Sequence, residues 1–462
     1  MTALAVSASA CSDDATIGQV DTGNLNVPEG SMVYVIDANG STGTSQMEYR
    51  GNGTLDLYAS ATETLPSQAS VRFVYDPTVL TAYNQVNGTA FEAIPESQVT
   101  LSNEGTAVID AGQTKSAAVT LGVTSDGSLN HEATYVVPLR VEGTGLNMAS
   151  TSATRIVFVK DLTTLPDCEK WVTNADGERV PGVKIFSVME INDTNPLNNL
   201  RYTLKNSGKY MVDALVMFSG NINYDAEKNK VYFFPNENIS AVLNNYEKYL
   251  KPLKDRGMKV IMGVMCNHDR ACISNLSDES AKVFAKELDA LCNAYHLDGI
   301  FWDDEYCSPI TPPPAGFVRP SNAAWCRLAY EFWKTNPERW NVAYGYSRTG
   351  SAVPVDGVQP GTFITYVLPD YAYQMPDYTS SFAGMPLSHM GAYSCQCAYG
   401  SFRSESSLRS MRNNGRGAIM MFAQDPNRST RSGQDNAYAT MARAFYDDEV
   451  VVDEDCLYAK DW

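Results

Sequence analysis

From Val183 onward, eight short apolar runs alternate with segments of helical periodicity. The runs are Val183–Met189, Val212–Phe218, Val260–Met265, Leu297–Asp303, Asn341–Tyr346, Phe363–Val367, Met390–Tyr393 and Ala418–Phe422. Between them lie apolar stripes at helical spacing. Ile239, Val242, Leu243, Tyr246, Leu250 and Leu253 make the first, ended by Gly257. Val283, Phe284, Leu288, Leu291, Cys292 and Tyr295 make the second, and Trp325, Leu328, Phe332 and Trp333 the third. A strand followed by a helix returns the chain to its starting edge, so successive strands run parallel. Eight such units in about 280 residues fit one (β/α)8 TIM barrel. A doubly wound open sheet is the alternative, and the count of eight favours the barrel.

Polar and aromatic residues succeed these runs. Glu190-Ile191-Asn192-Asp193 comes after the first and Asn221-Ile222-Asn223-Tyr224-Asp225 after the second. Cys266-Asn267-His268-Asp269 comes after the third. Tyr371, Tyr373, Gln374 and Tyr378 come after the sixth, Gln396 after the seventh and Gln424-Asp425 after the eighth. In a barrel these ends meet on one rim. Amides and carboxylates there can hydrogen-bond sugar hydroxyls, and aromatic rings can stack on apolar sugar faces.

The fourth run carries the chemistry. In Leu297-Asp298-Gly299-Ile300-Phe301-Trp302-Asp303-Asp304-Glu305-Tyr306, strand alternation puts Phe301, Asp303 and Glu305 on one face. Ile300, Trp302 and Asp304 share the other, which suits a face covered by helices. Neighbouring carboxylates push their pKa values apart, leaving one able to act as an acid near neutral pH. Glu305, at the extreme end, is the acid candidate. Asp303 is too close to it to be the opposing nucleophile of an ordinary retaining glycosidase. The pair instead suits substrate assistance, where the substrate's 2-acetamido oxygen attacks the anomeric carbon.

This stretch resembles the signature of glycoside hydrolase family 18, and Asp303-Asp304-Glu305-Tyr306 resembles its endo-β-N-acetylglucosaminidases of the endoglycosidase H and F types. Asn192 to Asn198, Asn221 to Asp225 and Asn267-His268-Asp269 support it. The resemblance covers about 183–450 and implies cleavage of the GlcNAc-β1,4-GlcNAc core of N-glycans, with no metal or organic cofactor. It implies Glu305 as general acid/base and Asp303 as the carboxylate that orients the acetamido group. It gives Asp298 a structural or electrostatic role at the substrate site. Gln374 and Tyr378 match the sixth-strand residues that contact the acetamido group. Asn223, Tyr224, Asn267, His268, Tyr306, Tyr373 and Gln424 complete the expected glycan contacts. One position departs: the family's usual Asp is here Phe301. Asp303 then has a raised pKa or leans on Tyr or Asn neighbours, with activity reduced or narrowed in pH. A catalytically silent glycan-binding protein on the same fold is the second reading. A chitinase-type hydrolase is the third, but the third run has Gly263-Val264-Met265-Cys266-Asn267 and no Gly-Gly motif.

Residues 28–160 have a different texture, rich in Ser, Thr, Val and Gly. Alternating runs at Met32–Ile36, Thr54–Tyr58, Val71–Tyr75, Ala117–Val123, Tyr135–Val141 and Arg155–Val159, with turn signals between, predict an antiparallel β-sandwich. One helix is expected at Pro77–Val86. The phrase Tyr75-Asp76-Pro77, Ala82-Tyr83-Asn84, Asn87-Gly88-Thr89, Ile94-Pro95-Glu96 resembles the sandwich domain that precedes glycosidase domains in bacterial surface lipoproteins. Residues 161–182 read as a linker, and 183–462 as the barrel domain.

The first 27 residues read as a signal remnant and tether. Leu4 to Cys11 is apolar or small and Ser12-Asp13-Asp14 is polar and acidic, which resembles the end of a bacterial lipoprotein signal lipidated on Cys11. The expectation is a monomer anchored to the outer membrane, at the cell surface or in the periplasm, touching membrane only through that lipid. The formal net charge of −18 argues against nucleic-acid binding. Of the ten Cys, most read as small buried hydrophobes. A disulfide among them has no assignable pairing from sequence.

Overall fold

The computed structural model describes residues 31–143, 146–174, 176–371 and 375–462. The chain divides into two compact units at Thr164/Leu165.

The first unit is built of two sheets. Val33–Asp37, Asn52–Ala61, Val119–Thr124 and Val99–Leu101 form one, in that order, all antiparallel. Thr44–Tyr49, Thr154–Asp161, Tyr135–Glu142, Ala69–Tyr75 and Thr106–Ile109 form the other, with Glu92–Ala93 beside Tyr135–Glu142; where the sequence predicts antiparallel pairing throughout, Thr44–Tyr49 runs parallel to Thr154–Asp161. One hydrophobic cluster draws on both, with Val35, Leu57 and Leu121 from the first and Val71, Phe73, Val137 and Val157 from the second. The helix Pro77–Asn87 starts where Asp76 accepts from the Thr78 N–H and Pro77 supplies a preset φ. It stops at Gly88, whose φ of 65° is left-handed. Four strands escape the sequence reading. In Thr44–Tyr49 the inward residues include polar Ser45, and Glu92–Ala93, Val99–Leu101 and Thr106–Ile109 are at most four residues long.

Residues 165–182, within the stretch read as a linker, belong to the second unit. They carry the antiparallel pair Trp171–Thr173 and Arg179–Pro181. Lys170 is buried, with Nζ 2.9 Å from Asp213.

Eight parallel strands form the second unit: β1 (Lys184–Glu190), β2 (Ala214–Asp225), β3 (Lys259–Cys266), β4 (Gly299–Asp303), β5 (Trp340–Gly345), β6 (Tyr366–Pro369), β7 (Gly391–Gln396) and β8 (Ala418–Phe422). Strands β1 to β6 each pair with their sequence neighbours, β7 pairs with β8, and β8 pairs with β1. A bridge between Val367 and Met390 joins β6 to β7, so the sheet is nearly closed into a barrel. Phe186, Val188, Val216, Ile261, Phe301, Val342, Leu368 and Met420 fill its interior. Outward residues such as Ile300 and Trp302 pack into the core shared with the helices. Gly299 is required at the start of β4, because a Cβ there would lie 1.9 Å from the Trp340 carbonyl oxygen.

Helix Asp278–Ala294 comes after β3 and Asn322–Thr335 after β4, as the periodicity predicts. The stripe from Ile239 to Leu253 is not one helix. It breaks into Glu237–Asn244, Tyr246–Tyr249 and Lys251–Asp255, because Asn245 leaves helical geometry and Pro252 cannot donate to the preceding turn. β2 is longer than expected: it runs past the barrel and pairs with Lys230–Phe234, raising a hairpin above the rim.

Candidate active site

Strand alternation does at β4 what the sequence predicts. Phe301 and Asp303 point into the barrel, while Trp302 points out and donates to Asn341 Oδ1. Glu305 lies just beyond the strand end. A cavity of about 530 Å³ opens there. Its floor is apolar: Val188, Phe218, Phe301, Met420 and Phe422. Its walls are Glu190 from β1, Asp303, Glu305 and Tyr306 at and after the end of β4, and Tyr344 and Tyr346 at the end of β5. Asp370 and Tyr371 after β6 and Gln396 on β7 complete it.

The carboxyls here are strongly perturbed. Burial pushes Asp303 well above the usual carboxylate range, and the charges of Glu305, Asp304 and Asp370 add to it. Asp303 and Glu305 also hydrogen-bond each other, which raises Asp303 and lowers Glu305. Net, Glu305 is still raised, first by burial and then by Asp370. Asp303 Oδ1 is buried with no hydrogen-bond partner among the described residues. Phe301 explains this: the position below Asp303 holds a ring, 6.0 Å from the Tyr344 ring, and offers no polar atom. Tyr344 Oη donates to Asp370 Oδ1 at 2.7 Å. Glu190 is raised by burial and by Asp193, against the opposing pull of Arg428.

Asp304 faces away from the cavity. It is buried, with Arg348 Nη1 at 3.3 Å. The loops after β3 and β4 are tied together. Cys272 and Cys307 form a disulfide, His268 N donates to Tyr306 O at 2.9 Å, and Ser308 N donates to Asp269 O at 2.9 Å. Tyr306 takes a left-handed φ of 57° within this tie. On the same side, Asn267 Nδ2 donates to Asn223 Oδ1 at 3.3 Å and the Tyr224 N–H to Asp269 Oδ2 at 3.2 Å. Asn223, Tyr224, Asn267 and His268 thus form a rim wall beside Tyr306, outside the cavity lining.

Three expected glycan contacts are elsewhere. Asp298 sits at the opposite end of β4, where Lys254 and Lys259 hold its carboxylate at 2.7 and 3.3 Å. The extended chain between it and Asp303 spans on the order of 16 Å. Gln424 is fully buried, accepting from Tyr438 Oη and Ser187 Oγ behind the strands. Tyr378 is buried too, its hydroxyl filling the space where a Cβ on Gly345 would stand. Tyr373, Gln374 and Cys11 lie outside the described residues.

Tyr344, Tyr346 and Asp370 join the site without having stood out in the sequence. A usable signal exists for two of them: Tyr344-Gly345-Tyr346 repeats at β5 the alternation of Asp303-Asp304-Glu305 at β4.

A family model for an N-terminal domain matches residues 28–147. Over 288 residues the chain is 47% identical to Endo-beta-N-acetylglucosaminidase F1 of Elizabethkingia meningoseptica, spanning 62% of this chain and 84% of that protein. Over 126 residues it is 34% identical to Endo-beta-N-acetylglucosaminidase of Flavobacterium sp. (strain SK1022), spanning 27% of this chain and 39% of that one. Among solved structures it resembles EndoBT-3987 of Bacteroides thetaiotamicron with Man5GlcNAc product. The TM-score is 0.57 at 28% identity, over 91% of this chain and 96% of that one. The same protein in complex with Man9GlcNAc2Asn substrate gives 0.56 at 27%, over 91% and 95%.

Proposed function

The chain belongs to the endo-β-N-acetylglucosaminidases, and from that premise we propose how its barrel cleaves an N-glycan. The substrate is the GlcNAc-β1,4-GlcNAc core. Glu305 protonates the glycosidic oxygen as it leaves. The acetamido oxygen of the glycan-side GlcNAc attacks its own anomeric carbon, forming an oxazolinium and freeing the glycoprotein with one GlcNAc. Asp303 accepts from the acetamido N–H and balances the positive charge. Glu305, now ionised, takes a proton from water, which opens the oxazolinium with net retention.

The observation that carries this reading is the hydrogen-bonded Asp303–Glu305 pair in a cavity with an apolar floor. In the free enzyme the two share one proton, held mainly on Asp303. An acetamido N–H arriving at Asp303 displaces that proton onto Glu305, arming the acid as the substrate seats. Tyr306, Tyr344 and Tyr346 offer ring faces to the sugars, and Glu190 and Gln396 offer hydrogen bonds to their hydroxyls.

The preferred glycans are proposed to be of the oligomannose class. Its support is the match to EndoBT-3987, whose complexes hold Man5GlcNAc and Man9GlcNAc2Asn. The two sheets of the first unit are proposed to form a β-sandwich, since one apolar cluster draws on both. Cys11 is proposed to carry a lipid anchor at the cell surface, on the strength of its flanking sequence. Incubation with glycoproteins bearing defined N-glycans, followed by mass spectrometry, tests the activity. One GlcNAc retained per site is expected, and preferential turnover of chitin oligomers would point to a chitinase instead.

A further inference from the structure

We propose that the Cys272–Cys307 disulfide is the positioning element for Glu305, and that a dithiol reductant opening it disables the enzyme. This rests on the assignment of Glu305 as the acid.

Glu305 has left the strand. β4 ends at Asp303, so the backbone that carries the acid lies beyond the strand pairing. Next in the chain come Tyr306, in left-handed geometry, and Cys307, half buried and bonded to Cys272 in the loop after β3. Two backbone bonds span the same gap, His268 N to Tyr306 O and Ser308 N to Asp269 O. The disulfide is the covalent member of that set and stands two residues from the acid. Opening it leaves weak, rim-exposed hydrogen bonds to hold a side chain that must meet one glycosidic oxygen.

A third sulfur sits inside the same cluster. Cys266, at the end of β3, lies with the two disulfide sulfurs within 4.8 Å of one another. Its thiol is kept protonated, first by burial and then by the Asp304 charge, and it points at Asp304 Oδ1, 3.8 Å away. A protonated thiol is a poor nucleophile, so the disulfide does not isomerise to Cys266 at rest. The route in is from outside, at Cys307, since Cys272 is fully buried. One thiolate of the dithiol attacks Cys307 Sγ and Cys272 leaves as a thiolate that takes a proton. The second thiol of the reagent then attacks the mixed disulfide, freeing Cys307 and oxidising the reagent to its cyclic disulfide.

The test compares untreated enzyme, enzyme treated with dithiothreitol, and the Cys272→Ser/Cys307→Ser variant, on a glycoprotein substrate. Alkylation and mass spectrometry report which cysteines have opened. The expected result is a fall in kcat on the order of ten- to a hundredfold, with a smaller rise in KM of about two- to fivefold because the Tyr306 ring moves with the loop. The variant should start at the reduced rate and not respond to dithiothreitol. An enzyme whose Cys272 and Cys307 are both alkylated yet whose kcat is unchanged overturns the proposal. Chemical reduction of the folded protein decides the matter even if the double variant does not fold. Glu305→Gln separates the two claims. If it is inactive while reduction has no effect, only the positioning role falls. If it retains normal turnover, the acid assignment falls first.

Discussion

Replacing Asp303 by Asn should make the protein more stable and nearly inactive. Asp303 is buried, its Oδ1 has no partner among the described residues, and Glu305, Asp304 and Asp370 all oppose its ionisation. Its folded-state pKa is therefore raised above the unfolded value. Linkage sets the sign. Below the unfolded value near 3.9, both states are protonated and nothing is lost. As pH rises past that value toward the raised folded one, the unfolded state sheds its proton while the native state must keep it, and stability falls. Asn carries no such cost, so its advantage appears at neutral pH and is absent near pH 3. Each unit by which the folded-state pKa exceeds the unfolded one costs about 1.4 kcal/mol at neutral pH. A gain of that size raises Tm by roughly 2–6 °C in a unit of this size. Meanwhile the positive charge on the acetamido carbon loses its balancing carboxylate, and kcat should fall on the order of a hundred- to a thousandfold. Calorimetry of both proteins at about pH 3 and at neutral pH, with kcat on a glycoprotein, measures all three. Equal Tm values at neutral pH, or the same Tm difference at both pH values, would refute the electrostatic account of Asp303.

Glu305→Gln should lose roughly a thousandfold or more in kcat and still bind glycan by calorimetry, since the amide keeps the shape but cannot give up a proton. Because burial and neighbouring carboxylates raise the Asp303–Glu305 pair, wild-type kcat/KM should hold on the acidic side of neutral. It should fall as pH climbs far enough to remove the proton the pair shares, above the usual carboxylate range. Tyr346→Ala should raise KM about fivefold with little change in kcat, through loss of a ring worth about 1 kcal/mol against a sugar face. Asp298→Asn should cost about 1–3 kcal/mol in chemical denaturation and leave kcat within about twofold, because its carboxylate serves Lys254, Lys259 and the Val260 N–H at the far end of the barrel.

The barrel was legible because burial writes itself into composition. Strands covered on both faces must be apolar throughout, and those of 183–422 are short, apolar and punctuated. The carboxylate pair was legible because period two is rigid over three residues. The parts that escaped depend on three-dimensional neighbours. Gln424 comes after an apolar run just as Glu190 does, yet the chain turns it behind the barrel to Tyr438. Asp298 is part of the motif but at its other end. Asp370 looks like any turn residue until Tyr344, 26 positions away, donates to it. The Cys272–Cys307 pair spans 35 residues and two loops, and no spacing rule reaches that far.

The ring of Phe301 has one more consequence. It closes the cavity from beneath, with Phe218, Met420 and Phe422 beside it. The carboxyl pair stands on this apolar floor and faces the mouth, through which it trades protons with solvent. A glycan seated in that mouth lies across the pair's route to solvent, so bulk acidity acts on the pair before the glycan seats and again once the cleaved glycoprotein has left and water enters.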